Sequence, residues 1–235
     1  MKKILTIILT CFLTLSLAGC SSKKNDDDIL TFFDALDNTL NLKSAQINGS
    51  LTMKDSKLNI DAQILQKDDL QVSSSIGLVA GKNVQNDFLN FYIKDGKTYL
   101  NSMGTKTQST VDKIGLKQNS KLNTYNPFLD LTDDELCELF DSSKKENDTY
   151  TFKVNTSKLA TLLDNMGSVK LDNATLEATI KNEKISHMIL NFTGTQTVDD
   201  ASADIDVSIE LSIKKLNKIN FPNDLDNYKN ETAED

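Results

Sequence analysis

The residues able to do chemistry in this 235-residue chain are few and poorly grouped. His187 is the sole histidine, and the alternation around it places it on the face opposite Met188, Leu190 and Phe192. A hydrolytic triad would need that imidazole near a serine on a G-x-S-x-G elbow, a pattern the chain lacks. His187 is therefore expected at a solvent-facing or edge position. Cys137 could act as a thiolate nucleophile, yet it sits at the margin of the stripe formed by Leu136, Leu139 and Phe140. A small buried hydrophobe is its expected role. Acidic groups at Asp26–Asp28, Asp133–Glu135 and Asp199-Asp200 could attract calcium, but none follows the D-x-[DN]-x-[DN]-G spacing that wraps a loop around the ion. Helix capping and solvated turns account for them. Glycine-rich phosphate loops and paired cysteine ligands are absent, so neither an enzyme nor a metal or cofactor protein is expected.

The thiol with a chemistry of its own is Cys20. Upstream lie Lys2 and Lys3, an apolar run from Ile4 to Leu17 broken only by Thr and Ser, and the small residues Ala18 and Gly19. That order is a secretory signal peptide. The run falls short of the roughly 20 apolar residues that span a bilayer as a helix. Leu17-Ala18-Gly19-Cys20 resembles the bacterial lipobox. The resemblance implies cleavage between Gly19 and Cys20 and a thioether-linked diacylglycerol on Cys20. The mature chain would then sit on the extracytoplasmic face of the bacterial cell membrane. Two or three acyl chains, at about 0.8 kcal/mol per buried methylene, hold a protein there where one myristoyl chain would be marginal.

Removal of residues 1–19 leaves 216 residues, enough for one domain with a sizeable core. With the two signal lysines gone, the formal net charge moves from −8 to −10. Such a balance argues against nucleic acid as a partner, and against polybasic attraction to anionic lipid. All 26 basic residues are lysine, so no guanidinium fork exists for bidentate recognition of phosphate. Cys11 leaves with the signal and Cys20 is modified, which leaves Cys137 alone and permits no internal disulfide.

Residues 20–28 are short and polar, and read as a lipidated tether. From Ile29 the apolar residues Phe32, Phe33, Leu36 and Leu40 recur at helical spacing, which predicts a helix over 29–42 with Asp28 as N-cap. The period then changes to two. Ala45–Met53 and Leu58–Ile64 read as strands with one wet face, Leu70–Ile76 continues more weakly, and Gly77–Gln85 reads as a loop. Phe88–Ile93 and Thr98–Met103 flank Asp95-Gly96, a two-residue hairpin turn. Gly104–Tyr125 reads as a polar connection with a helical turn near Val111–Leu116. Thr132 and Glu135 form a capping box, with Leu131 and Leu136 as its hydrophobic staple, opening a helix to about Phe140. A short strand at Tyr150–Val154 and a helix carrying Leu159, Leu162, Leu163 and Met166, closed by Gly167, come next. The last third alternates cleanly through Ala174–Ile180, Met188–Phe192 and Ala203–Ile213, a three-stranded meander. Residues 222–235 read as an acidic disordered tail.

An N-terminal helix, antiparallel strands, a helical interruption and a final meander behind a lipobox resemble the LolA/LppX-type lipoprotein carriers. Asn126-Pro127-Phe128-Leu129 is similar to the segment that introduces the helical insertion in that family, and Asp204–Lys215 is similar to its late strand. The resemblance covers residues 29–221. It implies an α+β fold in which a curved antiparallel β-sheet, an incomplete barrel, is wrapped over a few α-helices. It also implies a lipid or other apolar ligand in the concave face. The ligand-lining residues expected there are Leu176, Ala178, Ile180, Met188, Leu190, Phe192, Ile205, Val207, Ile209 and Leu211. Small residues on the inner faces, Ala45, Gly49, Ala62, Ala174, Ala178 and Ala203, would leave room for it. The alternative is a protein-interaction or regulatory envelope lipoprotein whose interior is simply packed.

Overall fold

A computed structural model describes residues 24–163, 168–198 and 201–230. Gly19, Cys20 and the Gly167 cap lie outside the described residues.

Helix α1 spans Asp26–Leu40, beginning earlier than the apolar periodicity suggests. Asn25 is its N-cap, its side chain accepting from the Asp27 N–H at 3.2 Å. Asp26, Asp27 and Asp28, expected in the tether and at the cap, instead form the first turn. There their carboxylates meet the positive end of the helix dipole. Ile29, Phe32, Phe33 and Ala35 are buried.

The strands follow in chain order: β1 Ser44–Met53, β2 Ser56–Gln66, β3 Leu70–Ala80, β4 Asn83–Lys94, β5 Lys97–Ser102 and β6 Thr105–Thr110. The expected loop at Gly77–Gln85 is thus mostly strand, with only a two-residue connection at Gly81-Lys82. The period misled because a pairing irregularity lies between Ile76 and Leu78, and the adjacent Leu78, Val79 and Ala80 beyond it break the strict alternation. The polar stretch after Gly104 likewise begins with β6 before a 3-10 turn at Val111–Ile114.

Thr132 caps helix α2, Asp133–Glu138, through the expected capping box. The helix stops short of Phe140, which opens β7 (Phe140–Glu146), a strand hidden from periodicity by its polar composition. Strand β8 is Thr149–Val154 and helix α3 is Thr156–Leu163. The long meander follows: β9 Ser168–Lys181, β10 Lys184–Val198 and β11 Ala201–Lys214. Asn182 and Glu183 turn β9 into β10 with φ of 50° and 60°, the left-handed pair that a two-residue hairpin requires.

With the short β12, Lys229–Asn230, pairing of β1 with β11 joins the two halves into one open sheet of 12 described strands, ordered β12-β6-β5-β4-β3-β2-β1-β11-β10-β9-β8-β7. The architecture is α+β, a large curved antiparallel sheet with three described helices; the edges β12 and β7 do not meet, so no barrel closes. Gly49 makes the β1–β11 approach possible: a Cβ there would lie 2.2 Å from the Glu210 carbonyl oxygen.

The two faces differ. On the inner face α1 packs against β7, β9 and β10 around the main core. Across the outer face runs the C-terminal segment, contrary to the disorder expected of residues 222–230; residues 231–235 lie outside the described residues. Leu225 and Tyr228 bury themselves against Tyr92 and Tyr99, and β12 (Lys229–Asn230) pairs parallel to β6. Lys106 pairs with Asp224 along the way, and the Asn220 N–H donates to Gln63 Oε1 at 2.9 Å. Two large aromatic contacts outweigh the acidic composition that suggested disorder.

Candidate functional site

Where α1 crosses β9 and β10, its side chains do not fill the space beneath them. An apolar cavity of about 260 Å³ remains. Phe32, Phe33 and Leu36 form its roof from α1, while Leu176, Met188 and Leu190 form its floor from β9 and β10. Phe128, Leu139, Phe140, Val154 and Leu159 close the sides. Every lining side chain is apolar.

The aromatic part of this wall is locked. Phe140 and Phe152 lie 4.7 Å apart by ring centroid, Phe32 sits 5.4 Å from Phe152, and Phe33 meets Phe128 edge-on at 5.2 Å. Such pairs fix ring positions in offset and edge-to-face geometries. The opposite part of the wall is softer, because Leu36, Leu159, Met188 and Leu190 are only partly buried. From Leu190 the apolar surface continues along the pairing register through Ile209 and Leu51 to Leu58 and Leu78. Those four are all half-buried.

The sequence-predicted lining residues divide into three groups. Leu176, Met188 and Leu190 meet at the cavity. Ala178 and Ile180 are buried beneath α1 and do not line it, and Phe192 packs against the same core one step further along β10. Ile205, Val207, Ile209 and Leu211 lie on β11 beyond the helices, extending the apolar face instead of enclosing the space. Ala203, counted among the inner small residues, is exposed. The residues that sequence reasoning passed over are those from other elements, above all Phe140, Val154 and Leu159. Each carried an ordinary core signal, and only the non-local packing assigns them to a wall.

The groups weighed for catalysis remain apart. His187 is on the outer face, its Nδ1 3.1 Å from Ser212 Oγ and its Nε2 3.7 Å from Glu210. Cys137 is buried, and burial, followed by the nearby Asp26 carboxylate, pushes its thiol up, away from the reactive thiolate. Glu138 is held below the usual carboxylate range by Lys158, which donates to it at 2.8 Å on an exposed surface. Among the described residues no group of three His, Cys, Asp or Glu side chains could hold a metal ion. No described helix is long and apolar enough to cross a membrane.

No family model and no curated protein matches the chain. LprF from Mycobacterium bovis is similar with a TM-score of 0.43 at 11% identity, over 86% of this chain and 98% of that one. A porin-like protein from Bacteroides uniformis is similar with a TM-score of 0.26 at 8% identity, over 75% of this chain and 98% of that one. The functional reading therefore stands on this chain's own geometry.

Proposed function

We propose that this protein is an extracytoplasmic lipoprotein, anchored through a lipidated Cys20, that binds a lipid or other apolar chain under α1. The observation that carries the reading is the cavity of about 260 Å³ whose lining side chains are all apolar. An apolar cavity of about 150 Å³ already stays dry and accepts benzene. A void of this kind forfeits dispersion contacts on its walls, and an acyl chain restores them. At about 30 Å³ per water-sized group, eight or so methylenes fit. Their transfer from water contributes about 6 kcal/mol before association costs. The half-buried ladder from Leu190 to Leu78 would shelter a longer chain.

The test uses residues 21–235, which retain all the described residues but carry no acyl chain of their own. Titration with cis-parinaric acid should show saturable micromolar binding. Leu190→Trp, on the partly buried side of the cavity, should weaken that binding at least tenfold while the urea midpoint holds. Protein that is lipid-free by native mass spectrometry and still binds no cis-parinaric acid would overturn the reading, and the packed interaction module would replace it.

A further inference from the structure

Net charge describes a chain's total, not where the charges stand, and this surface is divided. At the C-terminal end of α1 lies an open hollow of about 690 Å³ between that helix, the β9–β10 turn and the end of β11. Five lysines line it: Lys43, Lys181, Lys184, Lys214 and Lys215. No Asp or Glu does. The nearby carboxylates of Asp34, Asp37 and Glu183 line an adjoining hollow against Thr31, Ala35 and Ile180, with Asn38 between the two. Topology makes this gathering, since β1 begins, β9 ends, β10 begins and β11 ends at the same end of neighbouring strands. Ser44 and Leu216, 172 positions apart, thereby become neighbours, which composition cannot reveal.

We infer that this lysine-lined hollow docks the domain onto the phosphate headgroups of an anionic bilayer. The inference rests on the membrane-anchored reading above. Cys20 precedes the described chain at Lys24 by four residues, which extend at most about 14 Å, so anchoring holds the start of α1 close to the membrane. The hollow lies at the other end of α1, whose 15 residues span about 22 Å. Engaging the hollow tilts the C-terminal end of α1 and the adjoining strand ends toward the bilayer, while Asp27 and Asp34 on the exposed side of the helix keep to water. Lysines within a Debye length of an anionic leaflet attract it even when the molecule as a whole is acidic. A mature chain with a net charge of −10, the two signal lysines being gone, and no such cluster would be repelled.

The experiment is vesicle flotation of residues 21–235, which carry no acyl anchor. Vesicles of phosphatidylglycerol mixed with phosphatidylcholine should retain the protein at about 0.05 M NaCl and release it at 0.5 M. Pure phosphatidylcholine should not retain it. Changing Lys181, Lys184, Lys214 and Lys215 together to Glu should weaken retention more than tenfold. Changing Lys57, Lys82, Lys113 and Lys153 together to Glu alters the net charge equally and should leave retention in place. Equal retention on both vesicle types, or equal losses from the two quadruple variants, would overturn the inference. So would capture of soluble polyphosphate without any vesicle binding, which would assign the hollow to a free polyanion. Failure of cis-parinaric acid binding would strike only the cavity reading, because it does not involve these lysines.

Discussion

Gln66 is a buried side chain that ties the C-terminal end of the cavity's roof to the sheet, as Ser143 ties its N-cap, and its loss has a calculable cost. It ends β2 at 5% exposure. Its Nε2 donates to the carbonyls of Leu40, the last residue of α1, at 2.7 Å and Leu42, two residues past it, at 2.6 Å. Its Oε1 accepts from the Leu122 N–H at 2.8 Å, which holds the 3-10 turn Leu122–Tyr125 beneath the same helix end. Gln66→Leu keeps the volume but removes all three bonds, leaving two carbonyls and one amide without that partner. Each bond contributes about 1 kcal/mol net, and an unpaired buried group costs about 1–3 kcal/mol. The three backbone groups belong to half-buried residues where water can recover part of the loss, so about 3 kcal/mol is expected. With a urea slope near 2 kcal/mol per molar, the midpoint should fall by about 1.5 M. Gln63→Leu, which removes only the exposed bond to Asn220, should move it by less than about 0.3 M. A Gln66→Leu midpoint within 0.5 M of wild type, on the same slope of about 2 kcal/mol per molar, would refute the reasoning and show the helix end held by packing alone.

Thr132→Ala removes the α2 N-cap and should cost about 1 kcal/mol in a urea titration. Ala178→Trp should cost at least about 3 kcal/mol, since Ala178 is fully buried between Tyr150 and Met188; an unchanged midpoint would mean that the cavity extends over it. Tyr228→Ala should cost about 3 kcal/mol and speed amide exchange at Thr107 and Gln108 in β6, whereas a tail loose in solution would leave both unaffected. Cys20→Ser should leave the chain unprocessed or released from membranes; partitioning into the detergent phase as a lipidated, mature species would end the anchoring claim.

What the chain announces by itself is whatever one element can encode locally. The apolar spacing of Ile29, Phe32, Phe33 and Leu36 is helical wherever the segment lies, and the alternation from Ala203 to Ile213 makes a strand whatever pairs with it. The Thr132–Glu135 capping box and the Asn182-Glu183 turn likewise act within four residues. The curved antiparallel architecture was legible for the same reason, being the outcome of many such strands. Three features were not. Strand β7 carries Lys144, Lys145 and Glu146 at a sheet edge, where charge discourages aggregation and erases the apolar alternation. The C-terminal segment looks disordered until Tyr228 finds Tyr92 and Tyr99, more than 120 residues upstream. The cavity exists only because α1 crosses β9 and β10 at a height its side chains do not fill, and no single strand or helix contains that misfit. Local geometry depends on neighbours along the chain and is written there. Voids, straps and charge clusters depend on which distant elements meet, and only the folded packing decides that.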